Sequence, residues 1–357
     1  MARSKLSQVV ILLIVNLAAL AGIVIGCELI FGNWFAPYVP PGAAIVDQDY
    51  TYRQSLYDPA GEIHYVRDKF GLRGVHEPLD RVQVVTVGGS TTDQRYVGEG
   101  QTWQDVWRKA GNVAVANAGV DGMSSFGHIA AVSEWLHKIP GLKPNYYLHF
   151  IGVNDAALSG DGKKLRNFSN EVSSWRHDLV RRSVLAKGLA KLWFRASGPR
   201  EVTHRGMKVV PALPLDQMKQ ASLDTADIEK FIAKYYKPNL RRLLELHTRR
   251  GEKVIFVSQP ANPSLVRWQG GKTYVAPSRE SLAHWALALG MINRANRDVC
   301  AESTNCQFID VAGKVVFAPN DFYDLVHNTP SGARKIGEFL ARALPIAKHG
   351  AIAAPAH

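Results

Sequence analysis

The feature that most limits how this chain can fold is a series of five short apolar runs separated by helical stretches. Continuous apolar runs of this length fit strands that are buried on both faces of a sheet. Strands that alternate with helices imply parallel βαβ units. The chain is therefore predicted to have an α/β fold, a three-layer α/β/α sandwich with a mainly parallel five-stranded sheet. The predicted strands are Val82–Val87, Val113–Ala118, Tyr146–Ile151, Lys253–Ser258 and the weaker Gln307–Val311.

Four helices are predicted between or after these strands. In sheets of this kind, ligands bind beyond the carboxyl ends of the strands. Polar residues that directly follow a predicted strand are therefore the candidates for a functional site. The predicted helices are Trp103–Ala110, Ile129–His137, the long amphipathic Ile228–Arg250 and Ser331–Leu344.

Residues 156–225 interrupt the alternation and are predicted to be a basic insertion, with a helical piece over Trp175–Phe194. Between Asp161 and Lys208 there are twelve basic residues and four acidic ones, so +8 of the chain's net +12 lies there. Two interpretations stay open: a cap that forms one wall of the cleft, or a solvated helical face. Such a charge favours an anionic surface, either lipid headgroups or an acidic glycan.

An apolar run from Val9 to Ile30 predicts that the N-terminus is a transmembrane helix. About 20 apolar residues cross a hydrocarbon core of roughly 30 Å. Arg3 and Lys5 precede the run and no basic residue follows until Arg53, so the N-terminus is expected in the cytoplasm and the rest outside. A cleaved secretory signal and lipidation at Cys27 remain alternatives, and all three export the remainder of the chain.

The predicted organisation has three parts: a membrane anchor over 1–35, a lead-in over 36–80 packed on the main domain, and a main domain over 81–350. In an oxidising compartment Cys300 and Cys306 could pair as a local disulfide, and the alternative is two unrelated thiols. Neither cysteine has the nearby partners that a zinc site needs. No metal and no cofactor are expected, and nucleic acid is not an expected partner of an exported domain.

Polar residues suited to acyl transfer occur at four strand ends or adjacent loops. Gly88-Gly89-Ser90 can turn sharply and expose a hydroxyl. Gly122 can offer a backbone N–H, and Asn154 a side-chain amide, to a developing oxyanion. Asp324 lies three residues before His327, a spacing that lets the carboxylate orient the imidazole of its own turn. Each motif alone is more often a turn, a loop or a surface pair, and only their joint occurrence in this order is informative.

These blocks resemble the SGNH/GDSL hydrolase family. The resemblance rests on GGST at 88–91, NAGVDG at 117–122, GVND at 152–155, DLVH at 324–327 and the ending HNTPSGARKIGEFLA, and it covers about 82–158 and 250–345. It implies the flavodoxin-like fold of that family, with Ser90 as nucleophile, Asp324 and His327 completing the triad, and the N–H groups of Ser90, Gly122 and Asn154 as oxyanion hole. The family's Gly-Asp-Ser-Leu reads Gly-Gly-Ser-Thr here, which leaves the subfamily and substrate open.

The resemblance implies a serine esterase, with O-acetyl groups on an extracytoplasmic glycan as the expected substrate. An acyltransferase would use the same acyl-serine chemistry, and with one membrane span it would need a separate polytopic acyl-donor protein. A non-catalytic glycan-binding module on the same fold is the third possibility. Four tryptophans could stack on sugar rings, but core packing is the expectation for each: Trp175, Trp193, Trp268 and Trp285.

Overall fold

The computed structural model describes residues 2–35, 48–159, 179, 182–196, 198–203 and 213–346. The strands are β1 (Gln48–Gln54), β2 (Gly61–Arg67), β3 (Val84–Gly88), β4 (Val115–Asn117), β5 (Tyr146–Phe150), β6 (Arg200–Val202), β7 (Lys219–Gln220), β8 (Lys253–Val257), β9 (Val266–Gln269), β10 (Lys272–Val275) and β11 (Cys306–Ile309). The α-helices are α1 (Ala2–Phe31), α2 (Ser90–Asp93), α3 (Trp103–Gly111), α4 (Ser125–Ala130), α5 (Val153–Leu158), α6 (Val184–Ala196), α7 (Ala226–Phe231), α8 (Lys237–Thr248), α9 (Ala283–Ala301), α10 (Val311–Lys314) and α11 (Pro330–Ala343).

The central sheet has five parallel strands in the order β11-β8-β5-β3-β4. These are the five predicted strands, so the predicted α/β class and sheet are confirmed. Gly88 at the end of β3 lies opposite Phe150 at the end of β5. The segments that follow these two strands therefore begin side by side at the carboxyl edge of the sheet.

Helices cover both faces of this sheet. On one face, α3 and α11 pack together over alternate strand residues, with Trp103 and Trp107 fully buried. On the other face, the intervening strand residues meet α8 and α9, and the ring of Tyr147 stacks on His247. Burial of two faces explains why the strands are continuous apolar runs rather than alternating ones.

Two predicted helices have different boundaries in the structure. The long stretch predicted as one helix over Ile228–Arg250 is α7, a π-turn over Ile232–Tyr236 and then α8. Pro238 lies in the first turn of α8 and has no N–H to donate, so the regular hydrogen-bond ladder cannot run through it. The helix predicted over Ile129–His137 starts earlier, at Ser125, and continues through a π-turn and a 3₁₀ turn to Lys138.

The described chain divides into two compact units, one formed by residues 1–44 and 172–198 and the other by 45–171 and 199–357. The first contains α1, whose segment Ser7–Phe31 is long and apolar enough to cross a membrane, a property that signal sequences share. The second contains the sheet and the lead-in strands β1 and β2, which form a three-stranded sheet with β6.

Within the second unit Cys300 and Cys306 are joined by a disulfide. Much of the predicted basic insertion lies outside the described residues, including Lys163, Lys164, Arg166, Trp175, Arg176, Arg181, Arg205 and Lys208.

Candidate active site

Ser90 is the first residue of α2 and follows β3 after a single intervening glycine. The turn is tight: a Cβ at Gly88 would lie 1.9 Å from Oγ1 of Thr92, and one at Gly89 would lie 2.5 Å from Nδ2 of Asn154. Only glycines fit these two positions without moving their neighbours. The turn therefore presents the Ser90 side chain at the carboxyl edge of the sheet.

Ser90, His327 and Asp324 form one hydrogen-bonded chain. Oγ of Ser90 lies 2.7 Å from Nε2 of His327, and Nδ1 of His327 lies 2.6 Å from Oδ2 of Asp324. The other oxygen of Asp324 accepts the backbone N–H groups of Val326 (2.9 Å) and His327 (2.8 Å), which fixes the carboxylate. The side chains of His327 and Asp324 are 27% and 25% exposed, so the chain is open to solvent and substrate.

The local charges tune this chain for proton transfer. Burial lowers the pKa of His327, but the hydrogen bond and charge of Asp324, with the charges of Asp121 and Asp93, outweigh burial, and the net pKa is raised above its ordinary value. Burial raises the pKa of Asp324, and its bonds with His327 lower it by more, so Asp324 stays ionised. An ionised carboxylate on Nδ1 keeps the proton on that nitrogen and leaves Nε2 free to accept the Ser90 proton.

Asn154, at the start of α5, and Gly122, in the turn after β4, are the other two residues predicted for the oxyanion hole. The amide nitrogen of Asn154 donates to the backbone oxygen of Met123 at 2.9 Å. A primary amide has two N–H groups, so a second one is left for an oxyanion. Gly122 has a φ of +76°, a conformation that favours glycine. Ser90 opens a helix, and the first N–H groups of a helix have no partner within it.

Asp155, next to Asn154, connects two helices beside the site through hydrogen bonds to Ser125. Its carboxylate accepts the backbone N–H of Ser125 at 3.0 Å and the Ser125 hydroxyl at 2.6 Å. Burial raises the pKa of Asp155 to about 7, against the opposing effect of these two bonds. The carboxylate links the start of α5 to the start of α4, so it supports the first turn of α5, which carries Asn154.

A buried ion pair beneath the Ser90 turn was not predicted from the sequence. The guanidinium of Arg67, at the end of β2, donates to Oδ1 of Asp93 at 2.6 Å and also to the backbone oxygen of Gly119. The phenol of Tyr65 donates to the same Asp93 oxygen at 2.8 Å, and the side chains of Arg67 and Asp93 are fully buried. The lead-in therefore fixes α2, the helix that begins at Ser90. The contact spans 26 residues, and no local pattern in the sequence marks it.

Polar and aromatic side chains surround His327. The ring of Tyr323 stacks on His327 at 5.5 Å, and Tyr57 from the lead-in stacks on Tyr323 at 6.0 Å. Arg95 lies 3.5 Å from the half-exposed carboxylate of Asp121, whose charge also raises the pKa of His327. The buried Tyr323 ring therefore supports the imidazole, and the charged side chains of Arg95 and Asp121 lie beside it.

Among the described residues, one group of side chains could hold a metal ion, and it lies away from this site. His137, His247 and Glu252 have possible ligand atoms within 4.8 Å of one another. Both histidines bond the same Glu252 oxygen, at 2.9 and 2.8 Å, and Arg250 takes the other oxygen at 3.0 Å. His247 also lies 3.0 Å from His149. Because these groups already satisfy one another and a guanidinium neutralises the carboxylate, the geometry is that of a hydrogen-bond network.

A parallel α/β/α sandwich with a Ser–His–Asp chain at the carboxyl edge of its sheet is the arrangement of a serine hydrolase. The sequence model of the GDSL-like Lipase/Acylhydrolase family matches residues 86–335, more than half of the chain. The chain belongs to this family.

Solved structures with a similar fold include a lipolytic protein, an esterase and a lipase. A member of the lipolytic protein G-D-S-L family from Veillonella parvula is 15% identical over 74% of this chain and 98% of its own, with a TM-score of 0.41. A catalytic mutant of an acetylxylan esterase from Geobacillus stearothermophilus is 14% identical over 73% and 93%, with a TM-score of 0.42. A GDSL-like lipase from Bacteroides thetaiotaomicron is 14% identical over 75% and 90%, with a TM-score of 0.40. No curated protein sequence matches the chain significantly.

Proposed function

We propose that this protein is a serine esterase that works through an acyl-Ser90 intermediate. The observation that carries the proposal is the continuous hydrogen-bonded chain from Ser90 through His327 to Asp324. In the first half-reaction the Ser90 oxygen attacks the ester carbonyl carbon, and Nε2 of His327 takes the hydroxyl proton. The ester C–O bond then breaks, and His327 returns that proton to the leaving alcohol oxygen.

In the second half-reaction water replaces the alcohol. His327 removes a proton from the water as it attacks the acyl carbonyl, and then gives that proton to Ser90 as the C–O bond to Ser90 breaks. The N–H groups of Ser90, Gly122 and Asn154 stabilise the oxyanion in both halves. The remaining Asn154 N–H and the N–H at the start of α2 support this assignment.

We assign the substrate as O-acetyl groups on an extracytoplasmic glycan. Arg95 and Asp121 beside His327 suit a substrate rich in hydroxyl groups, because a guanidinium and a carboxylate can hydrogen-bond to sugar hydroxyls. The disulfide between Cys300 and Cys306 supports an oxidising compartment. The apolar segment Ser7–Phe31 supports attachment to the membrane, with 36–80 as lead-in and 81–350 as catalytic domain.

The direct test is labelling of the purified chain with a fluorophosphonate, followed by mass mapping of the labelled peptide. The label is expected on Ser90, and Ser90→Ala is expected to abolish both labelling and hydrolysis of an aryl acetate. Release of acetate from acetylated polysaccharides would then identify the glycan. If Ser90→Ala kept most of the esterase rate, the proposed mechanism would be wrong. A wild-type chain that neither takes the label nor hydrolyses esters would favour the glycan-binding module.

Transfer of the acyl group to a sugar hydroxyl is the second candidate, because the same acyl-Ser90 can be attacked by water or by an alcohol. The split of the acyl-Ser90 between water and a sugar hydroxyl is measured by adding candidate oligosaccharides to an aryl acetate assay. A transferase is expected to form acetylated sugar at the expense of free acetate. Such an enzyme would depend on a polytopic partner for its acyl donor.

A further inference from the structure

Helix α6 begins at the end of α1, and a single carboxylate joins them. Glu28 in the last turn of α1 accepts the backbone N–H groups of Val184 (3.2 Å) and Leu185 (3.0 Å). It also accepts the hydroxyl of Ser183 at 2.7 Å. The same hydroxyl oxygen accepts the N–H of Ala186 at 2.9 Å, so the first three N–H groups of α6 are all paired. Glu28 thus acts as a negatively charged cap on the positive end of α6.

Further bonds between the two segments reinforce this junction. The backbone N–H of Asn33 donates to the Arg182 oxygen at 2.7 Å, and the Arg182 side chain donates to the Trp34 oxygen at 3.3 Å. The indole N–H of Trp34 donates to Glu28 at 2.7 Å. A carboxylate is expensive in hydrocarbon unless its oxygens have partners, and tryptophan is enriched at the membrane surface. If α1 spans a bilayer, Glu28 and Trp34 therefore set the start of α6 at the level of the membrane surface.

Four exposed apolar side chains among the described residues of α6 lie on one face. Leu185, Leu189, Leu192 and Trp193 are 42%, 68%, 64% and 71% exposed, and their spacing of four, three and one residues puts them on one side of a helix. Trp193 was expected to pack in a core, and that prediction is wrong. Burial of these leucines in an apolar environment is favourable, because it removes apolar surface from water. An apolar environment is the chemistry that this face fits.

The length and charge of α6 favour a lipid surface as that environment. Its 13 residues extend about 20 Å, too short to cross a hydrocarbon core of about 30 Å. Its sequence has three basic residues and no acidic one. Basic residues near a membrane surface are attracted to anionic headgroups.

We propose that α6 is an interfacial membrane helix, which lies along the bilayer surface with Leu185, Leu189 and Leu192 in the lipid and is fixed there by Glu28. The proposal rests on the membrane attachment proposed above and is independent of the esterase chemistry. The partner of α6 is therefore the bilayer that holds α1. The apolar face of α6 binds lipid rather than glycan.

The test uses the full chain in vesicles of phosphatidylcholine and phosphatidylglycerol, with Cys27→Ser to remove the free thiol. Single cysteines replace Leu189, Leu192 or, as the opposite-face control, Lys187, and each carries an environment-sensitive fluorophore. Labels at 189 and 192 should be quenched by nitroxide-bearing lipid and be at least ~3-fold less accessible to aqueous iodide than the label at 187, as expected for a face buried several ångströms into the interface. Glu28→Ala should reduce this contrast while esterase activity is kept.

Two outcomes would overturn the proposal. One is equal iodide access at 187 and 189 in protein that floats with the vesicles. The other is protection of 189 from iodide and from lipid nitroxide alike, which would mean that another protein surface covers α6. If the protein does not float with the vesicles, it is not attached to the membrane, and the proposals for the anchor and for α6 are both wrong. Fluorophosphonate labelling of Ser90 on the same samples separates each of these results from a failure of the proposed esterase function.

Discussion

His327 combines two environmental effects that oppose each other, and substitution of Asp324 separates them. Burial lowers the pKa of His327, whereas the hydrogen bond and charge of Asp324, with the charges of Asp121 and Asp93, raise it by more. The reaction needs neutral His327, so kcat/KM should rise with pH through a pKa above the reference value of about 6.5. In Asp324→Asn the largest raising contribution is lost, so the pKa of His327 should fall and the rising limb of the profile should move to lower pH. The plateau should fall by about 10³–10⁴, because the imidazolium loses its stabilising charge and its fixed tautomer.

The measurement is the pH profile of kcat/KM for an aryl acetate, with wild type and Asp324→Asn in the same buffers. A limb that stayed at the same pH in the variant would show that Asp324 does not set the His327 pKa. A limb that moved upward would contradict the sign of the effect.

Gly89 stands where the family's namesake motif has aspartate, and it lies close to the side chain of Asn154. A Cβ at this position would lie 2.5 Å from Nδ2 of Asn154. Gly89→Ala should therefore displace the amide assigned to the oxyanion hole and lower kcat by about 10–10³ with a smaller change in KM, since that donor acts mainly in the transition state. Gly61→Ala is the matched control, because a Cβ there meets nothing within 4 Å. Equal kcat values for the two variants would argue against a role for Asn154.

At the level of secondary structure elements, the β1–β2 hairpin supports α2 through a buried ion pair. Arg67→Met should destabilise the protein by about 3–5 kcal/mol, because it leaves the Asp93 charge buried without its closest partner. Asp93→Asn should be less destabilising in the Arg67→Met background than in the wild type, since the pair is already broken. The kcat should fall as well, because Asp93 and Ser90 share α2.

Denaturant unfolding of the four proteins in this double-mutant cycle gives the coupling energy. The control is Arg53→Met on the same hairpin, whose partner Glu62 lies 3.1 Å away with both side chains more than half exposed. Exposed pairs contribute about 0–1 kcal/mol. A loss at Arg67 no larger than the loss at Arg53 would mean that the buried pair does not stabilise α2.

The elements that the sequence predicts well are those whose pattern is local. Five apolar runs became the five strands because burial on both faces leaves a continuous signal. Ser90, Asp324 and His327 could be selected because each lies in a short motif at a strand end or adjacent loop. The Arg67–Asp93 pair and the contacts that bring His137 and His149 to the network around His247 could not be predicted, since these partners are 26 to 115 residues apart and no spacing links them. The sequence predicted one helix around Pro238 where the structure has two. The helical spacing of apolar residues continues through the π-turn before Pro238, so the spacing does not reveal the break.

At the scale of the whole molecule, the two ends of α1 differ in charge, and this difference predicts its orientation. Arg3 and Lys5 precede the apolar segment Ser7–Phe31, and the next basic residue is Arg53. Basic residues are retained on the cytoplasmic side. A reporter that is active only outside the cytoplasm should therefore be active when fused after residue 40, and a cytoplasmic reporter at that position should be inactive. Replacing Arg3 and Lys5 by glutamine and adding lysines after Phe35 should lower the activity of the extracytoplasmic reporter and raise that of the cytoplasmic reporter. If the cytoplasmic reporter were the active one in the unaltered chain, the catalytic domain would face a reducing compartment, and both the Cys300–Cys306 disulfide and an extracytoplasmic glycan substrate would lose their physical basis.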